Sequence, residues 1–146
     1  MSKETERALK LFIVLSRASK VILEEAHIPS NKYGLNRTEF AVLELLYHKG
    51  RQPIQKIGQK ILLGSGSMTY VVDKLEKRGL LERVFCEEDK RVTYMSITSE
   101  GVELMTAIFP EHAENIESMM ASLTVEEQEM AISLIRKLGL SVKSLS

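Results

Sequence analysis

The chain is poor in the residues that build several whole classes of protein. It holds one cysteine, Cys86, no tryptophan, and only 5% aromatic residues in 146 positions. A lone thiol closes no internal disulfide, so a disulfide scaffold is excluded and a reduced, cytoplasmic setting is expected. Long apolar runs are missing as well. The run near the N-terminus covers residues 11–15, against the roughly 18 to 20 residues of a membrane span. No secretory signal pattern precedes it, and no membrane partner is expected. The three histidines, His27, His48 and His112, stand at no metal-ligand spacing, and neither a Ser/His/Asp arrangement nor a phosphate-binding loop occurs. Glu111 and His112 are neighbours on a predicted helix and so point to different faces. Neither an enzyme nor a cofactor is expected.

What is present is 44% hydrophobic and 27% charged residues, the balance of one soluble globular domain able to bury a sizeable core. Its zero net charge hides a partition of +2 over residues 1–50, +3 over 51–98 and −5 over 99–146. A basic middle beside an acidic end permits local attraction to nucleic acid that the average conceals.

Residues 4–27 lack proline and glycine and predict one long helix. Its apolar arc, running from Leu9 through Phe12, Val14 and Val21 to Leu23, is wider than the stripe of a surface helix, which suggests cover by a partner chain. Pro29 and Gly34 read as the breakers that end it. Asn36 with Glu39 forms a capping-box pattern for a helix through Phe40, Leu43, Leu46 and Tyr47 to Gly50. After Pro53, a short helix shows Ile54, Ile57 and Ile61 on one face and Gly64 as its stop. A second short helix over residues 67–78 carries Met68, Val71, Val72 and Leu75 on one face and stops at Gly79. Two such helices about a tight Gly-containing turn make a helix-turn-helix. Strands over residues 81–86 and 92–97 follow, with Met95 and Ile97 alternating with Tyr94 and Ser96, so a β-hairpin wing stands directly behind the helix pair. Thr98 or Ser99 caps the next helix, with a bend at Pro110. Thr124 with Glu127 opens the last helix, for which Gly139 reads as the stop. The fold class is mainly α with a small β-wing.

A helix-turn-helix reads DNA by laying its second helix in the major groove. With the apolar face inward, Ser65, Ser67, Thr69, Tyr70, Asp73, Lys74 and Lys77 remain outside, hydroxyls and lysines suited to bases and phosphates. A polar solvated face would read the same, and the wing is what favours DNA. Lys90 and Arg91 fall at the hairpin tip, within reach of a minor groove or flanking phosphates. Asp89 beside them is unfavourable near DNA unless paired, either orienting Arg91 or pairing with Arg83 across the hairpin.

The run from Ile57-Gly58 through Gly64-Ser65-Gly66-Ser67-Met68-Thr69-Tyr70-Val71 and Val72-Asp73-Lys74-Leu75-Glu76-Lys77-Arg78-Gly79-Leu80, followed by Asp89-Lys90-Arg91 and Ile97-Thr98-Ser99-Glu100-Gly101, resembles the MarR family of transcriptional regulators. The family's D-x-R wing signature matches Asp89 and Arg91. The likeness covers nearly the whole chain and implies a winged helix-turn-helix on a homodimer, with residues 35–98 as DNA-binding lobe and residues 1–34 and 99–146 as dimerisation helices. It implies a homodimeric repressor on a pseudo-palindromic double-stranded operator, with Ser65, Ser67, Thr69, Tyr70, Lys74, Lys77, Arg83, Lys90 and Arg91 toward DNA. Tyr70 replaces a basic residue that many members carry in the recognition helix, so base preference does not transfer. The segment 64–71 is similar to the branch that answers quinones and phenols. A small phenolic or quinone-like effector would then sit where the first helix, the segment around Tyr33 and the helix after the wing meet the DNA-binding lobe. Phe12, His27, Tyr33, Tyr47, His48, Phe109 and His112 are candidates there. Cys86 is the candidate for a redox alternative, although Glu87, Glu88 and Asp89 oppose the lowered thiol pKa that sensing needs. A winged-helix module that binds protein instead of DNA is the remaining alternative.

Overall fold

The structure is a computed structural model that describes residues 1–61 and 68–145. Helix α1 (Lys3–Asn31) starts where the Ser2 hydroxyl accepts a hydrogen bond from the Thr5 amide at 3.1 Å. It ends later than its proline predicts, because Pro29 removes only one amide in the closing turns and lies buried within the helix. The true stop is Gly34, at φ 75°. Gly34 N–H donates to the Asn31 carbonyl and Leu35 N–H to the Ser30 carbonyl, the paired bonds of a Schellman motif.

Helix α2 (Arg37–Lys49) has the expected reciprocal cap. Glu39 N–H donates to Asn36 Oδ1 and Asn36 N–H to Glu39 Oε1, both at 2.8 Å. Strand β1 (Gln52–Pro53) then leads into helix α3 (Ile54–Lys60). Gly64, the expected stop of α3, lies outside the described residues, as do Ser65 and Ser67. Helix α4 (Met68–Lys77) closes on a second Schellman motif at Gly79, φ 76°, with Leu80 N–H reaching the Leu75 carbonyl. Strands β2 (Leu81–Phe85) and β3 (Thr93–Ile97) form the antiparallel wing, and β1 adds to the other side of β3. A strand of two residues is too short to show alternation, which is why β1 escapes sequence reading.

One core joins these elements. It packs Phe40, Val42, Leu43 and Leu46 of α2 against Ile57, Val71, Val72, Leu75, Leu81 and Met95, with Met105 and Ile108 of helix α5 (Ser99–Met120). The chain divides into two compact units, Met1–His112 and Ala113–Ser146, with the division inside α5. In the second unit Thr124 and Glu127 cap helix α6 (Val125–Leu145) reciprocally at 2.9 and 3.2 Å. Gly139 does not stop this helix. A glycine terminates a helix when it turns left-handed, and Gly139 stays helical.

Thr98 ties the wing's end to α5, since its hydroxyl donates to the Gly79 carbonyl at 2.6 Å and accepts from the Gly101 amide at 3.1 Å. This closeness leaves no room at Gly101, where a Cβ would overlap the Leu80 carbonyl oxygen and stand 2.6 Å from Ile97 Cγ1. Gly101→Ala is therefore expected to cost about 1–3 kcal/mol through overpacking. Urea unfolding measures it, and an unchanged midpoint would sink the account.

Candidate functional site

Periodicity divides α4 cleanly. Val71, Val72 and Leu75 are buried, while Thr69, Tyr70, Lys74 and Lys77 are exposed, Tyr70 to 68%. One flank of α4 carries acids. Asp73 and Glu76 both hold the Arg83 guanidinium, with Nε 3.1 Å from Glu76 Oε1. The hydrogen bond to Glu76, reinforced by both carboxylate charges, raises the Arg83 pKa above its ordinary value. Arg83 therefore fastens β2 to α4 and is not the partner of Asp89, which pairs with Arg91 instead. The physical reason is register. Arg83 sits opposite buried Met95 on β3, on the side of the wing that faces α4. Lys74 is also partly committed, with its ammonium 3.5 Å from Glu39 Oε2.

At the wing tip, Asp89 holds Arg91. Arg91 Nε and the Arg91 amide each donate to Asp89 Oδ1 at 3.0 Å, and Nη2 donates to Oδ2 at 3.2 Å. The Arg91 side chain stays 90% exposed. A fork-to-carboxylate grip on a side chain that exposed fixes direction rather than burying charge. Lys90 is exposed in the same turn. Cys86 is half-buried at the base of the tip, in a concave surface shared with Phe85, Glu87 and Lys90.

A second feature lies against the other side of α2. A cavity of about 170 Å³ is lined by Leu23, Ala26 and His27 of α1, Arg37, Phe40, Ala41 and Glu44 of α2, and His112 of α5. The Ser30 hydroxyl donates to the His27 carbonyl at 2.9 Å and has no second hydrogen. At its 3.0 Å contact with His27 Nδ1 the ring must therefore donate. His112 Nε2 stands 3.5 Å from Glu44 Oε2, while its Nδ1 is buried with no hydrogen-bond partner. The ring of Phe40 packs 4.8 Å from that of His112.

Of the aromatic and histidine candidates, only His27 and His112 line this cavity. Phe12 lies fifteen residues before His27 on α1, roughly 22 Å away at 1.5 Å per residue, and is 67% exposed. Tyr33 sits exposed in the turn beyond α1. Tyr47, His48 and Phe109 pack on one another further along, with His48 and Phe109 centroids 4.9 Å apart. Arg37, Phe40 and Glu44 carry no sequence signal that marks them as cavity residues. The α2 periodicity shows their face, but only the crossing of α1 over α2 turns it into a wall. Among the described residues no cluster of metal-ligating side chains occurs, and no helix is long and apolar enough to cross a membrane.

A core-anchored helix pair followed by a hairpin with an outward arginine at its tip is the architecture of a winged helix-turn-helix. The MarR family model matches residues 35–93. The transcriptional regulator MhqR of Bacillus subtilis is 55% identical over 95% of this chain and 96% of its own. Among solved structures, AbsC, a MarR family regulator from Streptomyces coelicolor, has a TM-score of 0.83 at 15% identity over 99% of this chain and 97% of its own. NadR in complex with 4-hydroxyphenylacetate has a TM-score of 0.74 at 23% identity over 86% and 89%. The chain belongs to the MarR family and is a DNA-binding transcriptional regulator.

The hydrogen bonds from Arg91, side chain first and backbone second, hold the Asp89 carboxyl below its ordinary value. The bracing is thus fully present above the ordinary carboxylate range and is lost only as pH falls through the lowered value. In an NMR titration the Arg91 Nε–H signal is expected to stay constant from neutral pH down to about 4 and to move below it. Movement at neutral pH would show that the pair does not persist in solution.

Proposed function

We propose that the chain is a homodimeric repressor that binds a pseudo-palindromic operator and is released by a small phenolic or quinone-like effector. The observation that carries the DNA half is the outward Arg91, braced by Asp89, together with the exposed Thr69, Tyr70 and Lys77 of α4. On this reading Tyr70 and Thr69 meet base edges, while Lys77, Lys90 and Arg91 meet phosphates or the minor groove.

Apolar exposure supports the homodimer. From Met1 to Glu25 every residue of the chain except Leu15 is exposed, including Phe12, Ile13, Val14 and Val21. In α6, Met130, Ile132, Leu134 and Ile135 are exposed as well. Apolar surface on that scale marks an interaction face, and a second copy is the occupant that the family likeness implies.

The cavity on α2 supports the effector. It is smaller than the roughly 300–1,000 Å³ of drug-sized sites, which suits a single ring. His112 Nε2 faces Glu44 at 3.5 Å, and Nδ1 is buried with no hydrogen-bond partner. A phenolic hydroxyl, which both donates and accepts, can pair with such a nitrogen, and Arg37 adds a donor to the lining. NadR, of like fold, holds 4-hydroxyphenylacetate.

The test is fluorescence anisotropy on the duplex upstream of the protein's own gene and on a shuffled duplex, across a salt series. Arg91→Ala is expected to weaken binding on both and to lower the salt slope by about one. Tyr70→Ala should instead change discrimination, by about 1–3 kcal/mol at the contacted base pair. Equal losses on all sequences for both variants would refute this division. For the effector, His112→Ala should raise the hydroquinone concentration needed for half-release about ten-fold, the value of one buried hydrogen bond. An unchanged concentration would place the effector elsewhere.

A further inference from the structure

Lys74 lies on the recognition helix, where a cation is ordinarily counted toward DNA phosphate. Its surroundings point inward. Glu39 is 1% exposed. One of its oxygens accepts from the Asn36 amide, and the other, Oε2, has no hydrogen bond and stands 3.5 Å from the Lys74 ammonium. A buried carboxylate persists when a countercharge meets it, and swinging Lys74 out to a phosphate would strip Glu39 of that charge.

Four residues on, one position past the end of α4 and one turn along from Lys74, Arg78 makes a second attachment. Nη1 donates to the Gly34 carbonyl at 3.1 Å and Nη2 to the Tyr33 carbonyl at 3.4 Å. The anchor points belong to one corner. Tyr33 and Gly34 close α1, and Glu39 opens α2. That corner also walls the cavity, through His27 at the end of α1 and Arg37 and Phe40 at the start of α2.

We propose that Lys74 and Arg78 are positioning residues that seat the recognition helix on the α1–α2 corner, and are not DNA contacts. Both anchors move with the corner, so a change in the spacing of α1 and α2 across the cavity changes the seat of α4. This last step rests on the effector reading above; the seating itself does not.

The test compares wild type, Lys74→Met, Arg78→Met, Glu39→Gln and the double variant Glu39→Gln/Lys74→Met by anisotropy across a salt series, each checked for a cooperative melt. Lys74→Met and Arg78→Met are expected to weaken binding several-fold in parallel at every salt concentration, leaving the slope as in wild type. Glu39→Gln should restore Lys74→Met, because glutamine keeps the capping box and leaves no unpaired buried charge. A phosphate contact gives the opposite pattern. The slope would fall by about one, Glu39→Gln would restore nothing, and either result overturns the proposal. If Lys74→Met alone does not fold, the double variant still decides by its slope.

Hydroquinone then separates the two readings. Release of wild type with reduced release of Arg78→Met supports the link to the cavity, and equal release of both refutes it. If hydroquinone leaves wild type on DNA and does not bind the free protein, the effector reading fails, while the salt slopes still decide the seating.

Discussion

A carboxylate at the first turn of α2 is buried, and the lobe is arranged around satisfying it. Glu39 completes the cap on Asn36, which sets where α2 begins, and its other oxygen faces Lys74, which sets how α4 lies against α2. Capping of this kind contributes about 1 kcal/mol. The larger consequence is geometric. A half-satisfied buried charge is costly, so the start of α2 and the seat of α4 cannot drift independently. Arg83 repeats the arrangement on the far side of α4, where Asp73 and Glu76 hold β2 to the helix. The recognition helix is thus held from two directions by ion pairs as well as by the core under Val72 and Leu75.

Much of this fold is legible in the residues because its boundaries are local. The Asn36/Glu39 and Thr124/Glu127 boxes, the glycine stops at Gly50 and Gly79, and the alternation about Met95 each depend on neighbours within a few positions. Sequence pattern and structure part where a residue's usual role yields to its backbone setting. Pro29 sits where a missing amide costs little, and Gly139 remains helical because nothing around it demands the left-handed turn. Intrinsic preference is a weak prior at such places.

The site was less legible for a different reason. Outward faces of α4 and the wing follow from periodicity, and Thr69, Tyr70, Lys90 and Arg91 are exposed as expected. Which cations point away from the protein does not follow. That depends on acids distant in sequence, such as Glu39, which is 35 positions from Lys74. The cavity is harder still. Phe12 belongs to the same apolar arc as Leu23, yet only the last turns of α1 cross α2, so one heptad-like pattern contains both an exposed surface and a cavity wall.

Pairing of cations within the protein shapes how such a protein would hold DNA. Arg83 is bound to Asp73 and Glu76, Arg78 to backbone carbonyls, and Arg51 stacks 5.0 Å over Tyr94. The outward cations proposed to meet phosphate are Lys77, Lys90 and Arg91. Were these three the phosphate contacts, each would release roughly 0.9 counterions, and a single lobe would bind weakly and with shallow salt dependence. In the proposed homodimer, useful affinity would then come from two lobes acting together, where the second binds at the effective concentration set by the first. Linkage of that kind is lost as soon as geometry forbids simultaneous engagement. On that reading an effector would need no direct competition with DNA, because a small change in the spacing of two weak lobes would suffice.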